Sequence, residues 1–344
     1  MRRAKEDIRP SGKRISIKDV ARKAGVSIST VSRVLNKSGS VSKSSRIRVE
    51  EAIRELRFLP SSVARALARG KTNAIGLIIP RYEGIFYSYY ALEVIKGIGA
   101  MCEALNFDLL LHITDSRSFI NLSSVAGIIF ADIIGNRHQL DFAIKQRIPV
   151  VVINNFLQDV EVSCIAIDNK KAAYEAVRYL IDLGHRRIAH ITGDLVTQAA
   201  SERLEGYRWA LAERNIPQEE KYIIKADYSR GSARSGIETL LDLDTPPTAV
   251  FIASDSMALE AMNVIYERGM SVPKDISIIG FDDNPSGLYG KVDLTTVRQP
   301  LAAMAQESVK ELRRILTEGP AGFKKIRLPA ELIIRDSCRP LRMG

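Results

Sequence analysis

A short polar stretch near the N-terminus carries side chains that can read the edges of DNA bases. Residues 27–33 are Ser-Ile-Ser-Thr-Val-Ser-Arg. Hydroxyl groups can bond bases or phosphates, isoleucine can meet a thymine methyl, and arginine can form two hydrogen bonds with guanine. We therefore predict contacts with base edges from Ile28, Ser29, Thr30, Ser32 and Arg33.

Two short helices joined by a glycine turn are predicted to position these side chains. Ser16 with Asp19 three residues on indicates a capping box that opens the first helix. Gly25 indicates a tight turn with positive φ, and Ser27 can cap the second helix. This is a helix-turn-helix, whose second helix enters the major groove. A third helix follows, with one apolar face formed by Val49, Ala52, Ile53 and Leu56. A helical protein–protein module would show the same periodicity, so the pattern leaves that alternative open.

The basic charge of the chain is concentrated in the same region. The net charge is +10, yet residues 1–71 hold 19 Lys and Arg against 6 Asp and Glu, and the remainder holds 31 against 34. A basic end on a near-neutral body favours a polyanion-binding module, but charge alone does not separate DNA from RNA or anionic lipid. Residues 1–14 lack periodicity and are predicted to be a disordered tail. Phosphate contacts or plain solvation are expected for Arg46, Arg48, Arg54 and Arg57.

From residue 73 the pattern changes to short apolar runs that alternate with helical stretches. The predicted strands are Ala74–Ile79, Asp108–Ile113, Gly127–Phe130, Val150–Ile153, Ile188–Thr192, Ala249–Ala253, Ser277–Phe281 and Thr296–Arg298. The predicted helices include Lys170–Leu183, Ser201–Asn215, Gly231–Leu241 and Asp255–Arg268. This order is typical of parallel sheets covered on both faces, and about 260 residues of it divide best into two doubly wound lobes. Ligands of such sheets bind beyond the carboxyl ends of the strands.

Three segments of the head match a known pattern: Ile17-Lys-Asp-Val-Ala-Arg-Lys-Ala-Gly-Val-Ser27, Thr30-Val-Ser-Arg-Val-Leu-Asn36 and Phe58-Leu-Pro60-Ser-Ser-Val63-Ala64-Arg65-Ala66-Leu67-Ala68. They closely resemble the head of the lactose-repressor (LacI/GalR) family. The resemblance implies a hinge helix in the last segment, which folds when two copies lie side by side in the minor groove. Leu67 would wedge into the central base step, where unstacking costs a few kcal/mol that wider contact with bent DNA offsets. Simple packing of Leu67 against the head is the alternative.

The composition of the hinge fits folding on DNA. Its apolar stripe, formed by Val63, Ala64, Leu67 and Ala68, is too short to be stable as an isolated helix. Beyond the base-reading residues already named, the resemblance implies DNA contacts from Ser16, Ile17, Ser27, Asn36, Ser61, Val63, Ala64, Leu67 and Ala68. The expected partner is a near-palindromic double-stranded operator bound by a homodimer.

The body resembles the same family. The matching segments are Cys164-Ile-Ala-Ile-Asp168-Asn, Leu183-Gly-His-Arg-Arg-Ile-Ala-His190-Ile, Arg203-Leu-Glu-Gly-Tyr-Arg-Trp-Ala, Ala253-Ser-Asp255-Ser-Met-Ala, Val272-Pro-Lys-Asp-Ile-Ser-Ile-Ile-Gly-Phe-Asp282-Asp and Leu294-Thr-Thr-Val-Arg-Gln-Pro300. They imply the periplasmic-binding-protein fold, in which the chain crosses between lobes near Ala166, Val297 and Arg327. The expected domains are the head (15–59), the hinge (60–72), a first lobe (73–166 and 298–326) and a second lobe (167–297 and 327–340).

The same resemblance places a small-molecule effector between the lobes. Arg203 and Asp282 are its strongest predicted contacts, since a fork of donors and a bidentate acceptor suit the hydroxyls of a sugar. An inter-lobe salt bridge between the two is the alternative. Further predicted contacts are Phe86 or Tyr87, Asn154, Thr197 and Tyr228. For Asn154 and Tyr228, a structural role is an equal alternative.

Two segments depart from the family pattern. Only about a dozen residues join the strands that flank 114–126, where relatives usually fit a full helix, so the second helix of the first lobe is predicted to be truncated. Residues 81–90 contain four aromatics within five positions, so the register of the ligand-facing aromatic is ambiguous.

Other functional classes find little support. The sequence has no phosphate-binding loop, dinucleotide fingerprint or nucleophile elbow, and its four histidines show no metal spacing. We therefore expect no enzyme and no cofactor. A solute-binding protein without a regulatory role is the alternative function, against which the basic head and the lack of a secretory signal argue. Three scattered cysteines and the absence of roughly 18 consecutive apolar residues favour the cytoplasm, away from membranes.

Overall fold

The computed structural model describes residues 15–36, 39–56, 58, 72–81, 85, 88–114, 121, 124–319 and 322–341. The chain divides into two compact units, residues 1–72 and residues 73–344. Among the helices of the described part, none is both long and apolar enough to cross a membrane.

Three helices form the N-terminal unit: α1 (Ile17–Ala24), α2 (Ile28–Asn36) and α3 (Lys43–Glu55). The predicted capping box is present, with the Asp19 carboxylate accepting bonds from the backbone N–H and the hydroxyl of Ser16 at 2.9 and 2.6 Å. Gly25 ends α1 with φ of 62°, as the predicted turn requires. Val20, Val31 and Val49 are fully buried, one from each helix. The predicted helix-turn-helix and its third helix are therefore confirmed.

The first lobe is built on a six-stranded parallel sheet with the order β11-β5-β4-β3-β1-β2. Its strands are β1 (Ala74–Pro80), β2 (Asp108–Thr114), β3 (Gly127–Ala131), β4 (Val150–Ile153), β5 (Ser163–Ile167) and β11 (Lys325–Leu328). Its helices are α4 (Tyr89–Ala104), α5 (Arg137–Lys145) and α10 (Leu301–Glu318). Alternate residues of β3 lie in two separate core clusters, one with α5 and the other with α4 and α10. Both faces of the sheet are therefore covered.

The second lobe repeats this arrangement on a sheet with the order β7-β6-β8-β9-β10-β12. Its strands are β6 (Ile188–Ile191), β7 (Ile223–Ile224), β8 (Ala249–Ile252), β9 (Ser277–Asp282), β10 (Thr295–Arg298) and β12 (Glu331–Ile333). Helices α6 (Asn169–Asp182) and α7 (Gln198–Glu213) pack on one face, and α8 (Arg230–Leu241) and α9 (Asp255–Glu267) on the other. The two doubly wound lobes are as predicted, except that β12 runs antiparallel to β10.

The chain crosses between the sheets three times. It leaves the first sheet after Ile167, returns after Arg298 and leaves again after Leu328, one residue beyond each predicted crossing. The lobes also meet where Gln198, the first residue of α7, bonds both backbone polar groups of Phe156. The Phe156 N–H donates to Oε1 at 2.8 Å, and Nε2 donates to the Phe156 carbonyl at 3.3 Å.

Two features of the sequence pattern fall partly outside the described residues. Of the short segment at 114–126, the structure describes 114, 121 and 124–126, so the predicted truncation of the helix there stays a prediction. In the aromatic segment at 81–90, α4 begins at Tyr89 with Ser88 as its cap. Tyr89 and Tyr90 are therefore helical, while Phe86 and Tyr87 lie outside the described residues.

Candidate functional site

The start of α2 is organised by hydroxyl groups. The Ser27 hydroxyl accepts the backbone N–H of Thr30 at 3.2 Å, as predicted for a helix cap. It also lies 2.8 Å from the Ser29 hydroxyl and 2.9 Å from that of Thr30. Three predicted DNA contacts therefore form one hydroxyl cluster at the helix terminus, whose unbonded N–H groups and dipole favour a phosphate or base acceptor.

The predicted base readers lie around this cluster. Ile28 is 46% exposed, so its side chain is available for an apolar contact with a partner. Ser29 and Arg33 are exposed, whereas Thr30 and Ser32 are half-buried. Of the contacts implied by the family resemblance, Ile17 packs partly against the head core and the Ser16 hydroxyl is held by Asp19. Outside the described residues lie the Asn36 side chain and Ser61, Val63, Ala64, Leu67 and Ala68.

In the second unit, Arg203 on α7 is almost fully buried, with 3% of its surface exposed. Its Nε donates to Oδ1 of Asn169 at 2.9 Å, and its Nη1 donates to the carbonyl of Ala253 at 2.6 Å. The guanidinium carbon lies 3.6 Å from the centre of the Phe281 ring. Nη2 donates no hydrogen bond to any described residue, so it can still donate one to a ligand.

Asp282 ends β9 beside this guanidinium, yet the two do not form an ion pair. Both belong to the second lobe, so the inter-lobe salt bridge considered from the sequence is not what joins them. Oδ1 of Asp282 instead accepts Nε2 of Gln299 at 2.6 Å. Burial raises the pKa of Asp282 to about 6, against the opposing effects of Arg203 and of this hydrogen bond. A second buried carboxylate, Asp255, lies close by; burial, and then the Asp282 charge, raise its pKa well above the usual range.

Asn154 follows β4 in the first lobe and meets a residue that the sequence reasoning missed. Its Nδ2 donates to Oδ2 of Asp132 at 3.1 Å, and Asp132 also accepts the backbone N–H groups of Ile133 and Ile134. Burial raises the pKa of Asp132 to about 6, despite these hydrogen bonds. The sequence shows only that Asp132 directly follows a predicted strand, whereas the pairing of β3 with β4 that brings it to Asn154 comes from the structure.

Tyr228, in the second lobe, lies near charged groups of both lobes in the cleft, the space between the carboxyl ends of the two sheets. Burial raises the pKa of its hydroxyl, the Asp282 and Asp132 charges add to the rise, and Arg203 and a hydrogen bond with Thr197 oppose it. The ring lies against Gly193, where an added Cβ would come within 2.0 Å of Cζ. Thr197 also caps α7, since its hydroxyl accepts the Ala200 N–H at 3.1 Å.

Tyr89 at the start of α4 is the described aromatic of the 81–90 segment that faces these acids. Burial raises the pKa of its hydroxyl, followed by the charges of Glu93, Asp283, Asp282 and Asp255. It belongs to the first lobe, whereas all of those acids except Glu93 belong to the second.

Backbone conformation singles out the same region. Among the described residues, eight non-glycine positions have positive φ, and five of them lie in this cleft. These are Asp132, Asn154, Tyr228, Asp282 and Asp283, with φ of 87°, 67°, 68°, 119° and 56°. Such conformations cost of order 1–3 kcal/mol each and concentrate where function requires a fixed geometry. The structure thus brings Asn154, Thr197, Arg203, Tyr228 and Asp282 together, and adds Asp132, Gln299 and Tyr89.

Both units of the chain match known protein families. A family described as "Bacterial regulatory proteins, lacI family" matches residues 16–61, and a "Periplasmic binding protein-like domain" matches residues 177–338. Catabolite control protein A of Priestia megaterium is 33% identical, over 94% of this chain and 99% of its own length. The transcriptional repressor CytR of Escherichia coli K12 is 36% identical, over 95% of this chain and 97% of its own.

Solved structures agree with these relatives. The Lac repressor dimer bound to operator and the anti-inducer ONPF is 27% identical, with a TM-score of 0.83 over 95% of this chain and all of that one. The transcriptional regulator CelR in complex with cellobiose is 29% identical, with a TM-score of 0.70 over 94% of this chain and all of that one. These relatives are transcriptional regulators, not enzymes. Because full-length relatives exceed 30% identity and the head matches the family pattern, this chain belongs to the lacI family of bacterial regulatory proteins.

Proposed function

We propose that this chain is a sequence-specific transcriptional regulator, acting as a repressor, whose operator affinity is controlled by a sugar or sugar derivative bound between its two lobes. One observation carries the proposal: a helix-turn-helix head and a two-lobed ligand-binding body occur in one chain that aligns end to end with the operator-bound Lac repressor. Such a regulator acts in the cytoplasm, where bacterial operators lie.

The DNA-binding half works as a homodimer on a near-palindrome. The start of α2 enters the major groove, where Ile28, Ser29 and Arg33 meet base edges and the Ser27 cluster contacts phosphate. The hinge at 60–72 joins its partner copy in the minor groove, with Leu67 as the wedge.

The sensor half binds the effector at the carboxyl ends of the two sheets. The residues that contact the effector are Asn154 from the first lobe and Thr197, Arg203, Tyr228 and Asp282 from the second, together with Phe86 or Tyr87. A ligand that contacts both lobes favours one angle between them, and this shifts the hinge between ordered and disordered states. Related regulators have been solved with cellobiose and with ribose, which supports a sugar-like ligand.

The alternative, a solute-binding protein without a regulatory role, does not require the head. The basic charge of residues 1–71 favours the DNA-binding function, because it suits contacts with phosphates and a solute-binding protein does not need it. No catalytic role is assigned to the cleft, whose polar groups are those of a binding site.

Binding to a library of random double-stranded DNA, followed by selection and sequencing, tests the proposal. We expect enrichment of a near-palindromic motif, and an affinity that falls steeply with salt because phosphate contacts release counterions. Arg33→Ala should lose the motif preference, while Arg230→Ala on the second lobe should bind as the wild type does. Weak binding without an enriched motif would favour the solute-binding alternative.

A further inference from the structure

Each lobe contributes one amide–carboxylate pair to the cleft, and the two pairs are built alike. In the first lobe, Nδ2 of Asn154 donates to Asp132 at 3.1 Å. In the second lobe, Nε2 of Gln299 donates to Asp282 at 2.6 Å. Both amide carbonyl oxygens, Oδ1 of Asn154 and Oε1 of Gln299, are buried without a hydrogen-bond partner among the described residues.

The orientation of these two amides is set by the carboxylates beside them. A flipped amide would bring its oxygen against a carboxylate oxygen, so the nitrogens must face the acids and the oxygens must face away. Asn154 is 9% exposed and Gln299 is 6% exposed, so neither oxygen has bulk water to compensate it. A buried acceptor left unsatisfied is costly, and a ligand that donates to it removes that cost.

The charge of the cleft points in the same direction. Among the described residues of the cleft, three carboxylates (Asp132, Asp255 and Asp282) lie near one arginine, Arg203, two of whose nitrogens are already engaged with Asn169 and Ala253. The neighbouring arginines are engaged by other acids: Arg298 and Arg335 share Asp283, Arg298 also pairs with Glu331, and Arg327 pairs with Asp168. The raised pKa values of Asp132 and Asp282 agree with this charge balance, because burial disfavours the charged form of both carboxyls and Arg203 only partly offsets it at Asp282.

We propose that the effector is a polyhydroxylated ligand that donates hydrogen bonds to both lobes and carries no anionic group: a neutral sugar or its amino derivative, and not a uronate or a sugar phosphate. This rests on the proposed function and names the ligand class of its sensor site. Donors on opposite sides of the ligand satisfy the two orphaned oxygens and the two carboxylates together, so binding draws the lobes to one relative angle. An anionic group on the ligand would be repelled by these carboxylates, and apart from Arg203 no described arginine beside the cleft lacks a carboxylate partner to offset that repulsion.

Matched probe sets on the full chain test the ligand class. Each set contains a neutral sugar, its amino derivative, its uronate and its phosphate: glucose, glucosamine, glucuronate and glucose 6-phosphate, with equivalent sets for galactose and ribose. Thermal shift finds the binders, because a ligand that binds the native state stabilises it by mass action, and calorimetry gives the affinities. We expect at least one neutral or amino member to bind, and its anionic counterpart to bind weaker by about tenfold or more, the equivalent of 1.4 kcal/mol.

Three outcomes overturn the proposal: an anionic member binds as tightly as its neutral counterpart, only anionic members bind, or no neutral or amino member binds at millimolar concentration. The selected operator is bound in the same samples without ligand. Intact operator binding with any of these outcomes rejects the ligand class alone, whereas failure of operator binding speaks against the proposed function itself.

Variants test whether the carboxylates cause the selection. Asp282→Asn and Asp132→Asn remove one charge each with little change of shape, and each should narrow the ratio between neutral and anionic affinities. Asp141→Asn on the outer surface of α5 is the matched control and should leave the ratio unchanged. An unchanged ratio in both cleft variants would show that their charge does not select the ligand. If one variant fails to fold, the other still decides the question.

Discussion

The guanidinium of Arg203 lies 3.6 Å from the centre of the ring of Phe281, the residue that precedes Asp282 in the chain. This stacking, together with the hydrogen bonds to Asn169 and to the Ala253 carbonyl, fixes the plane of the guanidinium before any ligand binds. Arg203 thus supports the second lobe as well as the cleft. A sensor whose donor is already oriented loses less entropy when it binds.

The first prediction concerns this double role. Arg203→Ala leaves two buried acceptors unpaired, each of which costs roughly 1–3 kcal/mol, so the unfolding temperature of the sensor should fall by several degrees. The effector response should be lost, while operator binding persists at temperatures below the new transition. Calorimetry and gel shift with and without effector measure both effects. Arg208→Ala, a surface change on the same helix, is the control; an unimpaired response in Arg203→Ala would remove Arg203 from the site.

The second prediction uses two isoleucines of the head that are almost equally exposed. Ile28 on α2 is 46% exposed and Ile47 on α3 is 47% exposed, so replacing either with alanine should change the free energy of unfolding little and similarly. Ile28→Ala should weaken operator binding by on the order of 1 kcal/mol through the lost apolar contact, and Ile47→Ala should not. Equal losses in both variants, measured by titration of labelled operator, would mean that α2 does not lie in the major groove as proposed.

The third prediction concerns pH. The pKa of Asp132 is about 6 in the folded protein and 3.8 in its ordinary state, so the native protein binds the proton more tightly than the unfolded chain does. The contribution of Asp132 to the free energy of unfolding is therefore most favourable below pH 4 and is lost as pH rises through 6. Asp132→Asn should flatten this dependence and raise the stability of the ligand-free protein at pH 7.5 by about 1–3 kcal/mol. Denaturant unfolding at several pH values measures it, and a lower stability at pH 7.5 would contradict the expected cause.

The fourth prediction concerns the turn of the head. Gly25 has φ of 62°, and an added Cβ would meet only Arg48 Nη1 at 3.8 Å, an ordinary contact. Gly25→Ala therefore tests conformation alone and should destabilise the head by about 1–2 kcal/mol, with a matching loss of operator affinity. Gly25→Asn should lose less, since asparagine tolerates this region better. If alanine and asparagine behave alike, the turn is not what limits the head.

The sequence predicted most of the fold because its signals are local. Apolar runs bounded by turn residues located eight strands, and Ser16, Gly25 and Ser27 located the ends of two helices. The strands it missed are β5, β7, β11 and β12. The last three are two to four residues long and lie toward sheet edges, where partial exposure removes the continuous apolar run. Helix α7 begins three residues before the predicted start, because Thr197 is its cap as well as a cleft residue.

The cleft was harder to predict for a different reason. Asp132 is followed by Ile133, Ile134 and Gly135, so in the sequence it looks like an ordinary turn residue. Asp132 gains its importance from Asn154, which follows the adjacent strand β4 and is 22 residues away in the sequence. Gln299 likewise gains its partner only when β9 and β10 pair. Partnerships made across strands need the register of the sheet, which no local pattern contains.

The contact between Gly193 and Tyr228 constrains how this sensor can change its ligand. Because the tyrosine ring occupies the space that any side chain at 193 would need, a larger residue at 193 requires the ring at 228 to move or to shrink. A variant library that varies one position at a time would therefore score Gly193 as resistant to substitution. Divergence of specificity at this corner, in nature or in a designed biosensor, is expected to change Tyr228 together with Gly193.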